Sequence, residues 1–194
     1  MLRSGTIKTL GALVVALSVG ALVLLWLERL PAQPEVPLQA VNGLTPAGHA
    51  VIHETDVPLQ AIKWRNVILH DIGKHGPAIA EQCHFLIGSA DQYGDGAIVP
   101  TRRWRLQKAG DHIHVPGHSF EECSVGVCVL VDSRRVAPTR RQLAAVIHVV
   151  RGLQLACHIP PDRVYLHSEL GEQGCPGGRF QGRAFRDRLI PATR

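Results

Sequence analysis

The stretch SVGVCVLV, from Ser124 to Val131, is apolar at nearly every position. A strand with one wet face alternates apolar and polar residues, whereas a strand apolar throughout is covered on both faces. This run therefore demands packing layers on both sides of its sheet. A helix signal follows. Thr139 and Gln142 make a capping-box pair, and Leu143, Val146, Ile147, Val150, Leu153 and Cys157 recur at helical spacing. Val67-Ile68-Leu69, closed by His70-Asp71, reads as a second buried strand. HFLIGSA is another apolar run, followed by a turn signal around Asp95-Gly96, and RVYLHSE reads as a short strand ending in a histidine. Strands, then a long helix, then a further strand predict an α/β domain with a single mixed β-sheet flanked by helices. The 194 residues suffice for one such domain.

The N-terminus follows a different rule. Leu10 to Leu27 reads LGALVVALSVGALVLLWL, eighteen residues without a charge, which just reaches the length of a membrane-crossing helix. Arg3 and Lys8 precede it, and positive flanks stay in the cytoplasm, so the rest of the chain is expected on the periplasmic or extracellular side. A cleaved signal peptide is the rival expectation. Its apolar core is shorter, about 7–15 residues, and the following ERLPAQPE lacks a small-x-small cleavage signature. The expected organisation is a signal anchor over 1–30, a Pro-rich linker over 31–58, the globular domain over 59–180 and a basic tail over 181–194.

The net charge of +5 gathers in TRRWRLQK, RRVAPTRR and GGRFQGRAFRDRL. It reads as a solvated basic surface, with an acidic membrane or wall polymer as the alternative partner. Aromatics make up only 5% and no nucleic-acid motif occurs, which argues against a nucleic-acid partner. Five cysteines, an odd count, leave at least one thiol unpaired or bound to something else in an oxidising compartment; whether the others pair stays open.

Two strands end in histidine, His70 and His167, and Cys175 follows the second by eight residues in LHSELGEQGCPGG. Imidazole and thiolate are good zinc ligands, and three protein ligands with one open position is the catalytic arrangement. Strand ends hold such side chains rigidly. With eleven histidines in the chain, chance juxtaposition is the competing account.

The segments VILHDI, CHFLIG, GDGAIVPTRRWRLQKAGDHIH, SVGVCVLV, PTRRQLAAVIHVVRGL and VYLHSELGEQGCPG occur in an order that resembles the zinc-dependent N-acetylmuramoyl-L-alanine amidases. That family shares its domain with peptidoglycan recognition proteins and a phage lysozyme, and the resemblance spans about residues 62 to 180. It implies Zn2+ held by His70, His167 and Cys175. It implies cleavage of the amide between N-acetylmuramic acid and L-alanine, in peptidoglycan or muropeptides. His112 matches a family segment beside the substrate groove, and Trp104 matches a segment that suggests groove-side packing; both are expected to bind substrate.

Departures from the pattern concern the proton relay. Cys83 stands where phage-type members carry tyrosine, Gln173 where they carry lysine, and Cys128 where others carry glutamate. Gln173 offers only an amide hydrogen bond. His84 is the expected catalytic replacement, because an ordinary imidazole titrates in the useful range. His75, Glu169, Glu172 and His114 are further candidates; Tyr93 and Trp64 are the other aromatics weighed for sugar stacking. The alternative function is a module that binds muropeptides without cutting them.

Overall fold

The structure, a computed structural model, describes residues 50–113 and 120–191. The expected anchor, the linker up to residue 49, His114 and the last three residues lie outside the described residues. Among the described residues no helix is long and apolar enough to cross a membrane.

Five strands form one sheet: β1 (Asn66–Asp71), β2 (Phe85–Ile87), β3 (Ile98–Pro100), β4 (Ser124–Val129) and β5 (Val164–Leu166). Their order is β3-β2-β4-β1-β5. β4 and β1 are central, and all pairings are parallel except the β2–β3 hairpin at one edge. The sheet is mixed, as the sequence predicts, and the uniformly apolar run at 124 is buried on both faces along all of β4. β3 is the strand that the sequence signals do not announce.

The long helix runs Arg140–Cys157 and begins where its cap requires. Thr139 Oγ1 accepts from the Gln142 amide and Gln142 Oε1 accepts from the Thr139 amide, each at 3.0 Å. Its apolar stripe, with Val146, Val150 and Leu153, packs on Val67 and Leu69 of β1, Phe85 and Ile87 of β2, and Val125, Val127 and Val129 of β4. Successive strand residues point to opposite faces. Ile68, His70, Leu86, Gly126 and Cys128 therefore point away from this helix, and a smaller cluster of Ile79, Cys83, Leu86, Cys128 and Leu130 covers part of that second face.

Two boundary expectations are corrected. The linker does not extend to residue 58: Val51 and Ile52 belong to the main core, and the Ile52 carbonyl accepts from Trp104 Nε1 at 3.2 Å. Within the segment expected as a basic tail, a short helix over Gly182–Arg186 buries Phe185 in the same core. The Gln154 side chain then fixes Ile190 through two main-chain bonds, 2.9 and 3.1 Å long. Each segment carries one or two anchoring apolar residues in a polar or Pro-rich setting, too few to establish a period. None of the five cysteines forms a disulfide.

Candidate metal centre

β1 and β5 are adjacent parallel strands, and Leu69 pairs with Leu166. The next residue on each is a histidine, so His70 and His167 emerge side by side at the same end of the sheet, ring centroids 4.4 Å apart. Cys175 returns from the following loop to place Sγ 3.9 Å from His70 Nδ1. One ligand atom from each of the three residues lies within 4.8 Å of the others, and all three residues are buried. Segments a hundred residues apart thus converge on one point.

The loop that delivers Cys175 is held by Asp71, the last residue of β1. The buried Asp71 carboxylate accepts from the Gly177 amide at 2.9 Å, the Ser133 amide at 3.0 Å, the Gly73 amide at 3.1 Å, and the Ser133 hydroxyl. Gly177 also donates to Ser133 Oγ at 2.8 Å. A Cβ on Gly177 would lie 2.2 Å from the Arg134 amide nitrogen, so only glycine lets the two backbones approach this closely. One carboxylate therefore ties the cysteine loop to the strand bearing His70. Asp71 is not among the residues that the sequence suggests for the site. Its signal was a charge ending a strand that is otherwise apolar.

Burial dominates the electrostatics. It lowers His167 to about 4 and holds His70 well below the usual imidazole range, with the neighbouring histidines adding to the effect. Both rings are therefore neutral, the form that binds metals. Burial pushes the Cys175 thiol up to about 12. His167 Nδ1 is buried with no hydrogen-bond partner among the described residues. An unsatisfied buried nitrogen costs free energy that coordination would recover. Two imidazoles and one sulfur form the donor set that suits zinc, and the orphaned nitrogen shows where a cation would be satisfied.

The other expected site residues lie elsewhere. His84 is fully buried and structural: its Nδ1 accepts from the Gly126 amide and its Nε2 donates to the Lys108 carbonyl, both at 2.9 Å. With both nitrogens committed to backbone it has no proton free for catalysis. Trp104 is likewise in the core, against Phe85 and Trp64, with no face left for a sugar. Trp64 donates to Gln107 Oε1 at 2.7 Å and is equally buried. His112 is 3% exposed and lies behind His70, its Nδ1 3.1 Å from His70 Nε2, so it presents no edge to a substrate. Gln173 is exposed beside the triad, and its main-chain carbonyl accepts from Lys74 Nζ at 3.4 Å.

Lys74, which sequence reasoning passed over, also pairs with Glu172 and holds that carboxyl below its usual range. His75 stands between Glu172 and the triad, its Nε2 3.9 Å from Glu172 and its ring centroid 5.6 Å from that of His167. Lys74, His75 and Glu172 are thus ionisable groups at the rim of the centre. A groove of about 260 Å³ is lined by Ile72, Leu86 and Leu130 together with Glu81 and the exposed Tyr93. Tyr93 sits in the left-handed backbone region, φ 66°, at the turn expected around Asp95-Gly96.

The family pattern of N-acetylmuramoyl-L-alanine amidase matches residues 43–178. Among solved structures, the endolysin N-acetylmuramoyl-L-alanine amidase LysCS from Clostridium intestinale superposes with a TM-score of 0.52 at 18% identity, covering 71% of this chain and 91% of that one. AmpDh3 from Pseudomonas aeruginosa gives 0.50 at 16% identity, covering 67% of this chain and 61% of that one. At such identities the likeness is one of fold. No curated protein sequence matches the chain.

Proposed function

The chain belongs to the N-acetylmuramoyl-L-alanine amidase family, and from that premise we propose that it is a zinc-dependent hydrolase of the amide joining N-acetylmuramic acid to L-alanine. The convergence of His70, His167 and Cys175 carries this reading. His70, His167 and Cys175 would hold the zinc, which when bound would supply Lewis-acid polarisation of the scissile carbonyl. The groove along Leu86 and Leu130, lined by apolar side chains with Glu81, Gln92 and Tyr93 among them, receives the stem peptide of peptidoglycan or a muropeptide.

Amide hydrolysis also needs a base for the attacking water and an acid for the leaving nitrogen. His84 and Gln173 cannot fill these roles: one is committed to backbone, and the other has no acidic proton. Glu172 takes them, kept ionised by Lys74, accepting the proton from water and returning it to the departing L-alanine nitrogen. The charge-free run at 10–27, with its basic flank, supports anchorage in a membrane with this domain on the non-cytoplasmic side.

A second reading, a muropeptide-binding module without activity, draws on Cys83, Cys128 and Gln173 standing where the resemblance implies tyrosine, glutamate and lysine. The test uses the purified full-length chain. Zinc is quantified, and muropeptides are incubated while mass spectrometry follows release of the free L-alanine amine. One equivalent of zinc with cleavage, both lost in Cys175→Ser, is expected. Zinc without cleavage across several muropeptides would leave the binding module.

A further inference from the structure

We infer that His112 is a positioning residue for the metal centre: it fixes the tautomer of His70 so that Nδ1, the nitrogen facing Cys175, carries the lone pair. The inference deepens the zinc reading and rests on His70 being a ligand.

The argument starts from backbone groups, whose hydrogen-bonding roles cannot change. The Ser124 carbonyl can only accept. It lies 3.4 Å from His112 Nε2, a long contact, and places the His112 proton on Nε2. His112 Nδ1 is then an acceptor, and the group 3.1 Å away is His70 Nε2, which must donate to it. A neutral imidazole has one N–H. With that proton on Nε2, His70 Nδ1 is bare, and Nδ1 is the atom 3.9 Å from Cys175 Sγ. The order Ser124 carbonyl, His112, His70, ligand position thus runs in one direction, each donor set by its predecessor.

The sheet is shaped to hold this ring. A Cβ on Gly126, in the middle of β4, would lie 2.6 Å from His112 Cδ2, and one on Gly110 would lie 2.2 Å from the same atom. Two glycines from separate segments open the slot that the imidazole fills. His84 closes it from the side, its ring centroid 5.6 Å from that of His112. Its donation to the Lys108 carbonyl fastens the segment that leads to His112. A histidine serving only as filler would not need an acceptor at one nitrogen and a ligand's N–H at the other. Outer partners of this kind orient a metal-bound imidazole and raise its basicity.

The test has two readouts, and neither is turnover. In the metal-free full-length chain, long-range 1H–15N correlation spectra should show His112 protonated at Nε2 and bare at Nδ1, with His70 protonated at Nε2. A His112 carrying its proton on Nδ1 overturns the inference, whether or not the protein binds zinc. Zinc affinity by chelator competition gives the second readout. His112→Phe fills the slot without an acceptor and should bind about 10- to 100-fold more weakly. His112→Asn, whose side-chain oxygen can replace Nδ1, should recover most of that loss. Equal affinity in wild type and His112→Phe overturns the inference while leaving the zinc reading intact. Absence of zinc binding in the wild type instead overturns the zinc reading and with it the metal-positioning role, a failure told apart from the preceding one by the wild type's own affinity. Should His112→Phe not fold, the tautomer spectra of the wild type alone decide the inference.

Discussion

The two faces of the sheet are made by alternate residues of the same strands, yet they are held together by different physics. Toward the long helix the side chains are Val67, Leu69, Phe85, Ile87, Val125, Val127 and Val129, and the stabilisation comes from apolar area removed from water. Toward the metal centre they are His70, Gly126 and Cys128, with His84 and His112 beside them. Burial on this side works against any charged form and demands a hydrogen-bond partner for each nitrogen. The helix face tolerates imprecise direction because dispersion is undirected. The metal face depends on which nitrogen carries a proton. The first face makes the fold, and the second uses the fold to specify chemistry.

The comparison breaks most visibly on the helix side. Leu153 is fully buried at the helix–sheet contact, and Leu153→Ala should destabilise the domain by about 2–5 kcal/mol in urea unfolding. The fraction that stays folded should bind zinc as the wild type does. A large change in zinc affinity with little change in unfolding midpoint would mean that the two faces are not separable.

The next effect belongs to the metal face and appears only with acid. His84 has its folded value lowered to about 4 by burial, against about 6.5 in an unfolded chain. Above pH 6.5 both states are neutral and the stability associated with burying this ring is fully present. As pH falls from 6.5 to 4 the unfolded chain takes up a proton that the folded chain refuses, and about 3 kcal/mol is lost from this group. His84→Gln, whose side-chain oxygen can still accept from the Gly126 amide, should flatten the stability profile across that window. Parallel profiles for the two proteins would show that His84 does not carry the acid sensitivity.

Much of the helix face was legible in the sequence, because hydrophobicity repeats and a repeat can be counted. The run at 124 and the cap at Thr139 both appear where their patterns place them. The convergence of His70, His167 and Cys175 was legible from strand ends combined with the order of segments. What surrounds the triad was not. His84 and Trp104 carry the right chemistry for a site, but burial is a tertiary property that a local pattern does not encode. His112 was expected beside substrate and lies behind His70 instead, because the slot left by Gly126 and Gly110 exists only once β4 and the 110 segment meet. Asp71 illustrates the opposite error, an acid passed over although a charge at the end of an apolar strand had to be satisfied somewhere.

Asp71→Asn sharpens the contrast with a smaller loss of stability. An amide retains one acceptor oxygen where the carboxylate used two, and it turns a donor toward amides that already donate. Hydrogen bonds to charged groups contribute about 1.5–3 kcal/mol, and a loss within that range is expected from thermal or urea unfolding. Zinc affinity should fall as well, by about 10- to 100-fold in chelator competition, because Gly177 and hence the Cys175 loop lose their tie to β1. Unchanged affinity with lowered stability would mean that the loop keeps its place without Asp71.

The smallest effect on the fold is expected where the functional consequence is large. Lys74 and Glu172 form an ion pair at the exposed rim, and such pairs contribute about 0–1 kcal/mol. Glu172→Gln should therefore leave unfolding within that range and zinc content at the wild-type level. Neither face of the sheet depends on this side chain. If Glu172 moves the proton between water and the leaving nitrogen, the variant should lose about 10²- to 10⁴-fold in kcat on a muropeptide. Lys74→Met should lose less, because Lys74 acts by keeping Glu172 ionised, and should shift the acid limb of the pH–rate profile upward as the carboxyl loses its cation. A Glu172→Gln variant with full turnover would remove this residue from the reaction and return the proton-transfer role to His75, the ring between it and the triad.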